Sequence, residues 1–284
     1  MGIKATTNIY GIFGHPVSQS LSPVMHNSAF SELGLDCVYV AFDIDPKEIA
    51  QATESLRTMS IKGINITIPH KQSIMPHLDE ISPDAKLTGA VNTVKNTDGT
   101  LLGFNTDVGG VLRAIKEELG FSPENSRVLL IGAGGAGRAV LSGFCMNNAS
   151  SICIADRAAQ KAQKLALEFR THFPDVEIST LSLQDDQVIS QEMNNSDILI
   201  NASSAGMNGE NNLELPIAEL REGAVVYDLV YKPLETELVT TAKELGYQAS
   251  GGLSMLLYQG AESFEIWTGE PAPVETMRKA LGFS

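Results

Sequence analysis

The stretch RVLLIGAGGAGRAV, residues 127–140, decides how the rest of the chain is read. Arg127–Ile131 is a short apolar run suited to a buried strand. Gly132, Gly134 and Gly137 come next at the G-x-G-x-x-G spacing, and Arg138–Met146 then reads as a helix. Each glycine meets a requirement. The first allows a tight turn, the second lets backbone approach a pyrophosphate, and the third lets helix and strand pack closely. Free N–H groups at the helix start favour an anion. A dinucleotide is the expected ligand, held by Gly132, Ala133, Gly134, Gly135, Ala136 and Gly137. The alternative is a tight strand–helix turn with no ligand. Enough chain for a separate domain precedes the motif, which places the substrate chemistry upstream.

Downstream, the pattern continues as a Rossmann-type series. Ser151–Ala155 is the second strand. Ala158–Phe169 is a helix with Ala162, Leu165, Ala166 and Phe169 on one face. Asp197–Asn201 and Ala224–Val230 are further buried strands, and Pro174–Ile178 is the candidate edge strand. Leu253–Trp267 and Ala272–Leu281 are two helices expected to pack back on the first domain. Asp156 ends the second strand. An acidic residue there takes the ribose hydroxyls of NAD and repels the 2′-phosphate of NADP. Arg157, Lys161 and Lys164 lie close behind it and could clamp that phosphate, so the cofactor choice stays open.

Upstream, strands and helices also alternate. Asn8–Phe13, Cys37–Asp43 and Gly63–Ile68 read as strands. Pro23–Leu33, capped by Ser22, and Pro46–Met59 read as helices. Val91–Lys95 and Thr100–Phe104 form an expected hairpin about Thr97-Asp98-Gly99. Asp107 is the expected cap of a helix to Glu118, ended by Gly120. The fold class is α/β: a substrate domain at 1–110 and 252–284, and a doubly wound dinucleotide domain at 111–251.

Composition excludes several classes. The 284 residues carry 34 acidic against 20 basic side chains, a net charge of −14. That argues against nucleic acid and anionic membrane as partners. No apolar run reaches the roughly 20 residues of a membrane span, and the N-terminus lacks a signal-peptide core. Cys37, Cys145 and Cys153 lie scattered in apolar stretches, as buried thiols in a reducing cytoplasm would. The five histidines make no metal spacing, so no metal is expected.

The sharpest upstream feature is KGINITIPHK, residues 62–71. Strand alternation puts Asn65 and Thr67 on one face, Pro69 stops the strand, and Lys71 opens the next helix. Polar side chains in an apolar strand need partners. Asn92 in GAVNT and Asp107 in GFNTD repeat the arrangement. The three points suggest a pocket for a polyhydroxylated ligand.

These segments, with GHPVSQSLSP before His26-Asn27, NASSAGM and GGLSMLLYQ, occur in one order over nearly the whole chain. The chain resembles the shikimate dehydrogenase family. The resemblance implies reduction of the 3-keto group of 3-dehydroshikimate to shikimate by a nicotinamide hydride, in the pathway to chorismate and the aromatic amino acids. It implies Lys71 as acid/base and Asp107 as its partner. An ammonium beside the carbonyl supplies the proton and stabilises developing charge. Asp107 favours the charged ammonium, so Lys71 is also expected to act as a positioned donor. Ser20, Ser22 and Tyr231 would hold the substrate carboxylate, and Asn65, Thr67, Asn92, Asp107 and Gln259 its hydroxyls. Met207, Leu229, Gly252 and Met255 would line the nicotinamide, with Asp156, Arg157 and Lys161 at the adenosine end. The active site would lie between the domains of a monomer or homodimer.

Two departures bear on specificity. NADP-specific members commonly carry Asn-Arg-Thr where this chain has Asp156-Arg157-Ala158; NADP is expected, with NAD possible through Asp156. Quinate-using relatives often have threonine where this chain has Ser22, which leans toward shikimate. The rival readings are an NAD-linked quinate/shikimate dehydrogenase and a non-catalytic metabolite sensor.

Overall fold

A computed structural model describes residues 2–282. Met1, Phe283 and Ser284, outer ends of the expected substrate domain, lie outside them. The chain forms two compact units: one runs up to Gly110 and resumes at Leu256, the other is Val111–Met255.

The first unit contains β1 (Asn8–Gly14), α1 (Ser22–Glu32), β2 (Cys37–Asp43), α2 (Ile49–Thr58), β3 (Gly63–Ile66), β4 (Glu80–Ile81), α3 (Pro83–Thr88), β5 (Thr93–Thr97) and β6 (Thr100–Phe104). Its sheet has the order β2-β1-β3-β5-β6-β4. β1 runs parallel to β2 and β3, whereas β5 is antiparallel to both β3 and β6. Ile64, Ile66, Val91, Val94 and Leu101 are buried at its centre. The sheet is therefore mixed, because the expected Asp98-Gly99 turn makes β5 and β6 a hairpin.

The second unit contains the rest of α4 (Asp107–Leu119), then β7 (Arg127–Ile131), α5 (Gly135–Met146), β8 (Ser151–Asp156), α6 (Ala159–His172), β9 (Glu177–Ser182), α7 (Asp186–Asn195), β10 (Ile198–Asn201), β11 (Val225–Asp228), α8 (Glu237–Glu244) and β12 (Gln248–Gly251). All its strands are parallel, in the order β12-β11-β10-β7-β8-β9. The order reverses between β7 and β10, the switch point where a doubly wound sheet binds its ligand. Leu129, Ile131, Leu199 and Val226 fill the centre.

α9 (Leu253–Thr268) and α10 (Val274–Ala280) complete the chain. As expected, the C-terminal helices return to the first unit. Trp267 donates its indole N–H to the Val94 carbonyl at 2.9 Å, and its ring lies 5.3 Å from that of Tyr10.

Local expectations needed correction where side chains outcompeted pattern. Pro46–Glu48 is a single tight turn closed by the Asp45 side chain, and only then does α2 begin. β3 stops at Ile66, and Lys71 sits in a turn rather than opening a helix. Ser22 is inside α1, whose N-cap is Leu21 without a side-chain bond. Asp107 is likewise inside α4: Asn105 Oδ1 accepts from the N–H groups of Asp107 and Val108. That frees the Asp107 carboxylate for other partners. The edge strand expected at Pro174–Ile178 is β9, which starts a few residues later, and β12 forms the other edge of the sheet. Cys145 and Cys153 are buried free thiols, whereas Cys37 is only half-buried.

Candidate functional site

Lys71 and Asp107 meet in the first unit. Lys71 Nζ donates to Asp107 Oδ2 at 2.6 Å. Their side chains are 18% and 6% exposed, so the pair is largely shielded, the lysine less than the aspartate. Asn92 Nδ2 donates to Asp107 Oδ1 at 2.9 Å and lies 3.4 Å from Gln259 Oε1. Both carboxylate oxygens are thus engaged by donors, as an ionised carboxylate requires. Gln259 comes from α9, more than 150 residues after Asp107 in the chain.

Ser20 and Ser22 lie on one loop: the Ser22 N–H donates to Ser20 Oγ at 3.2 Å. The Ser22 hydroxyl also bonds Tyr39, whose phenol burial pushes well up. Tyr39 donates to Asn65 Oδ1 at 2.7 Å. Asn65 is 4% exposed, and its amide N–H₂ reaches the Asn92 carbonyl, Thr93 and Ser263. Its hydrogen-bonding capacity is therefore occupied within the protein. Thr67 comes just after β3, half-buried, with its N–H on the Phe13 carbonyl at 2.9 Å. Tyr39, Thr93, Thr106 and Ser263 escaped the sequence reading as individuals. Thr93 and Thr106 each stand next to an asparagine of a quoted motif, and Ser263 lies one helical turn after Gln259, which was the available signal.

The second unit builds the expected cradle. Gly132 has φ +104°, a conformation side chains rarely adopt. A Cβ on Gly137 would lie 2.0 Å from the Gly132 carbonyl oxygen, so the helix passes too close for any other residue. Gly134 is open and exposed, and α5 starts there without a side-chain cap. The free N–H groups and open backbone fit a pyrophosphate. Asp156 Oδ1 accepts the Ala158 N–H at 2.8 Å, and Arg157 and Lys161 are exposed beside it.

At the ends of β10 and β11, buried Asp228 accepts from Asn201, Thr236 and the Val230 N–H. Burial pushes its carboxyl up despite these bonds. This knot ties the NASSAGM loop to the DLVYKP loop and so braces Met207, which is exposed, and Leu229 and Tyr231, which are half-buried. Gly252 passes so close to Leu229 that a Cβ would lie 2.0 Å from its carbonyl oxygen. Met255 is buried at 8% exposure. Among the described residues no group of three or more His, Cys, Asp or Glu is placed to hold a metal ion. No helix among them is long and apolar enough to cross a membrane.

A doubly wound sheet with a pyrophosphate cradle, joined in one chain to a shielded lysine–aspartate pair, defines the class of dinucleotide-dependent dehydrogenases. Comparison with known proteins specifies it further. The shikimate dehydrogenase substrate binding domain profile matches residues 12–94, that of shikimate / quinate 5-dehydrogenase residues 114–218, and that of the shikimate 5′-dehydrogenase C-terminal domain residues 252–281. The chain is 43% identical to the shikimate dehydrogenase (NADP⁺) of Methanopyrus kandleri, covering 99% of this chain and 97% of that one. A crystal structure of shikimate dehydrogenase in complex with NADP⁺ aligns with a TM-score of 0.90 at 42% identity, covering 99% of this chain and 96% of that one. Shikimate 5-dehydrogenase from Listeria monocytogenes, in complex with shikimate and NAD, aligns with a TM-score of 0.91 at 37% identity, covering 98% of each chain. The chain belongs to the shikimate dehydrogenase family.

Proposed function

We propose that this chain catalyses the reversible, NADP-dependent reduction of 3-dehydroshikimate to shikimate. The observation that carries the reading is the Lys71–Asp107 contact of 2.6 Å, with Asn92 on the second carboxylate oxygen. A bound nicotinamide dinucleotide supplies the hydride in one direction and accepts it in the other. In the reductive direction Lys71 Nζ gives a proton to the substrate oxygen as its carbonyl becomes an alkoxide. The same ammonium stabilises the charge developing on that oxygen. Asp107 holds Lys71 in place. Gln259 and Thr67 present amide and hydroxyl groups to the ring hydroxyls, and Asn65 and Asn92, whose amides are occupied within the protein, order them from behind. Ser20 and Ser22 offer hydroxyls to the carboxylate, joined by Tyr231.

In the second unit, residues 132–137 take the pyrophosphate. Arg157 and Lys161 supply positive charge at the 2′-phosphate, while Met207, Leu229, Gly252 and Met255 border the nicotinamide. The product leads to chorismate and the aromatic amino acids. The net charge of −14 disfavours nucleic acid as a partner. The three free cysteines suit a cytoplasmic location.

Initial rates from the absorbance of the reduced nicotinamide test the reading. Shikimate with NADP⁺ is expected to give a saturable rate. No turnover with shikimate and either dinucleotide sinks it. Asp156 favours one second reading, an NAD-linked quinate/shikimate dehydrogenase, and a higher kcat/KM with NAD⁺ and quinate would establish that instead.

A further inference from the structure

The buried polar cluster behind Asp107 contains more hydroxyls than substrate contact requires. Thr93, Thr106 and Ser263 are each fully buried, and each oxygen lies within bonding distance of the other two. Substrate contact and proton transfer use none of the three. Buried hydroxyls persist where their bonds are complete, since an unmade bond costs more than a made one contributes.

The short contacts constrain the proton arrangement. The Thr106 backbone N–H lies 2.7 Å from Asn92 Oδ1. A backbone N–H only donates, so that atom of the Asn92 amide is its oxygen. The amide nitrogen therefore faces Asp107 Oδ1 and Thr106 Oγ1, both at 2.9 Å. Two hydroxyls reach the remaining lone pair of that oxygen, Thr93 at 3.1 Å and Thr106 at 3.3 Å, and the nearer, Thr93, is assigned as its donor. Thr93 has then spent its only proton, and its oxygen must accept. Asn65 Nδ2 at 3.2 Å donates to it, and Ser263 at 2.8 Å does so whenever its single proton is not on the Gln259 carbonyl, 2.9 Å away. Thr93 is thereby the junction of two amides, Asn65 on β3 and Asn92 before β5, and α9 closes it through Ser263.

We propose that Thr93 is a positioning residue for the reaction: its hydroxyl steadies the Asn92 amide, whose nitrogen faces Asp107, and so keeps the Asp107 carboxylate aimed at Lys71. The inference rests on Lys71 and Asp107 being the acid/base pair of the proposed dehydrogenase. Without the Thr93 hydroxyl, Asn92 Oδ1 keeps the Thr106 backbone N–H at 2.7 Å and the more distant Thr106 hydroxyl at 3.3 Å, and the amide gains freedom to rock. Asp107 then shares its second oxygen with a moving partner. The chemical step suffers, whereas the dinucleotide site in the other unit is untouched.

The test compares wild type, Thr93→Val and Thr93→Ser. Valine keeps the shape and removes the hydroxyl; serine keeps the hydroxyl and removes a methyl. Wild-type turnover of shikimate is measured first, because its absence overturns the functional reading rather than this proposal. With activity in hand, Thr93→Val is expected to lower kcat about tenfold, with the KM for NADP⁺ unchanged. Its kcat–pH profile is expected to shift relative to wild type, a change that loss of packing alone would not cause. Thr93→Ser is expected to recover kcat to within about twofold. The proposal is overturned if Thr93→Val keeps wild-type kcat, or if serine is as impaired as valine. Should Thr93→Val fail to fold, Ser263→Ala decides: a drop in kcat at unchanged cofactor KM supports the junction, and wild-type kcat overturns it.

Discussion

Asp156 Oδ2 accepts the Ala133 backbone N–H at 2.8 Å. The residue that ends β8 therefore fastens the turn at the end of β7, while its other oxygen secures the start of α6 through Ala158. One carboxylate does two structural tasks at the place proposed for dinucleotide choice. This gives the aspartate a reason to be present that is independent of NAD.

Cofactor preference should consequently be separable from stability at this position. Asp156→Asn removes a negative charge from beside Arg157 and Lys161, but an amide can accept only one of the two backbone N–H groups. The ratio of kcat/KM for NADP⁺ over NAD⁺ is expected to rise by about tenfold. Melting temperature is expected to fall by a few degrees, from the loss of about 1 kcal/mol. An unchanged ratio would show that Asp156 only braces the turn.

Lys71→Ala is expected to lower kcat by roughly 10²–10⁴-fold while the dissociation constant for NADP⁺, measured by fluorescence, stays the same. Asp107→Asn leaves the geometry but not the charge, and is expected to lower kcat by about 10²-fold. Near-wild-type turnover in Lys71→Ala would remove the lysine from the chemistry.

Glu262 gives a pH signature in stability. Burial, then the charges of Glu265, Asp107 and Asp84, push its carboxyl from 4.5 up to about 7. The folded state thus holds a proton that the unfolded chain releases between these values, and stability falls as pH rises from 4.5 to about 7. Glu262→Gln is expected to be more stable than wild type at pH 8, on the order of 1 kcal/mol after solvent screening. The two should converge toward pH 4. Equal denaturation midpoints at both pH values would refute this.

His26 works in the opposite sense. Its ring is fully buried, stacked 4.5 Å from that of Tyr39, and neither nitrogen has a hydrogen-bond partner among the described residues. Burial pushes its pKa from 6.5 down to about 3. The unfolded chain takes up a proton that the folded state refuses, so stability is lost as pH falls from 6.5 toward 3. His26→Phe keeps a ring in the stack and is expected to flatten this acid limb, measured by denaturant titration at pH 7 and pH 5. An unaltered limb would assign acid sensitivity elsewhere.

The second unit was largely legible because its elements are local. The glycine spacing, buried β-branched runs and one-faced helix α6 each declare themselves within a short window. In the first unit the strands were legible but the turn at Lys71 was not, since Pro69 ends a strand without fixing the conformation of the residues beyond it. Ser22 and Asp107 looked like caps because serine and aspartate before a helix usually are. Asn105 took that task for α4, and the Ser22 hydroxyl went to Tyr39, choices made by tertiary partners. Asn65 and Asn92 were visible as polar interruptions. Their link through Thr93 to Ser263 was not, because it joins segments 170 residues apart.

The return of α9 to the first unit sets an order of events during synthesis. Lys71, Asn92 and Asp107 leave the ribosome early, but Gln259, Ser263 and Trp267 emerge only after the whole second unit, on the order of ten seconds later at ordinary elongation rates. Until then the Val94 carbonyl and the Thr93 hydroxyl lack their late partners. The nascent first unit waits with its polar centre open, and a stretch made after the whole second unit is the one that shuts it.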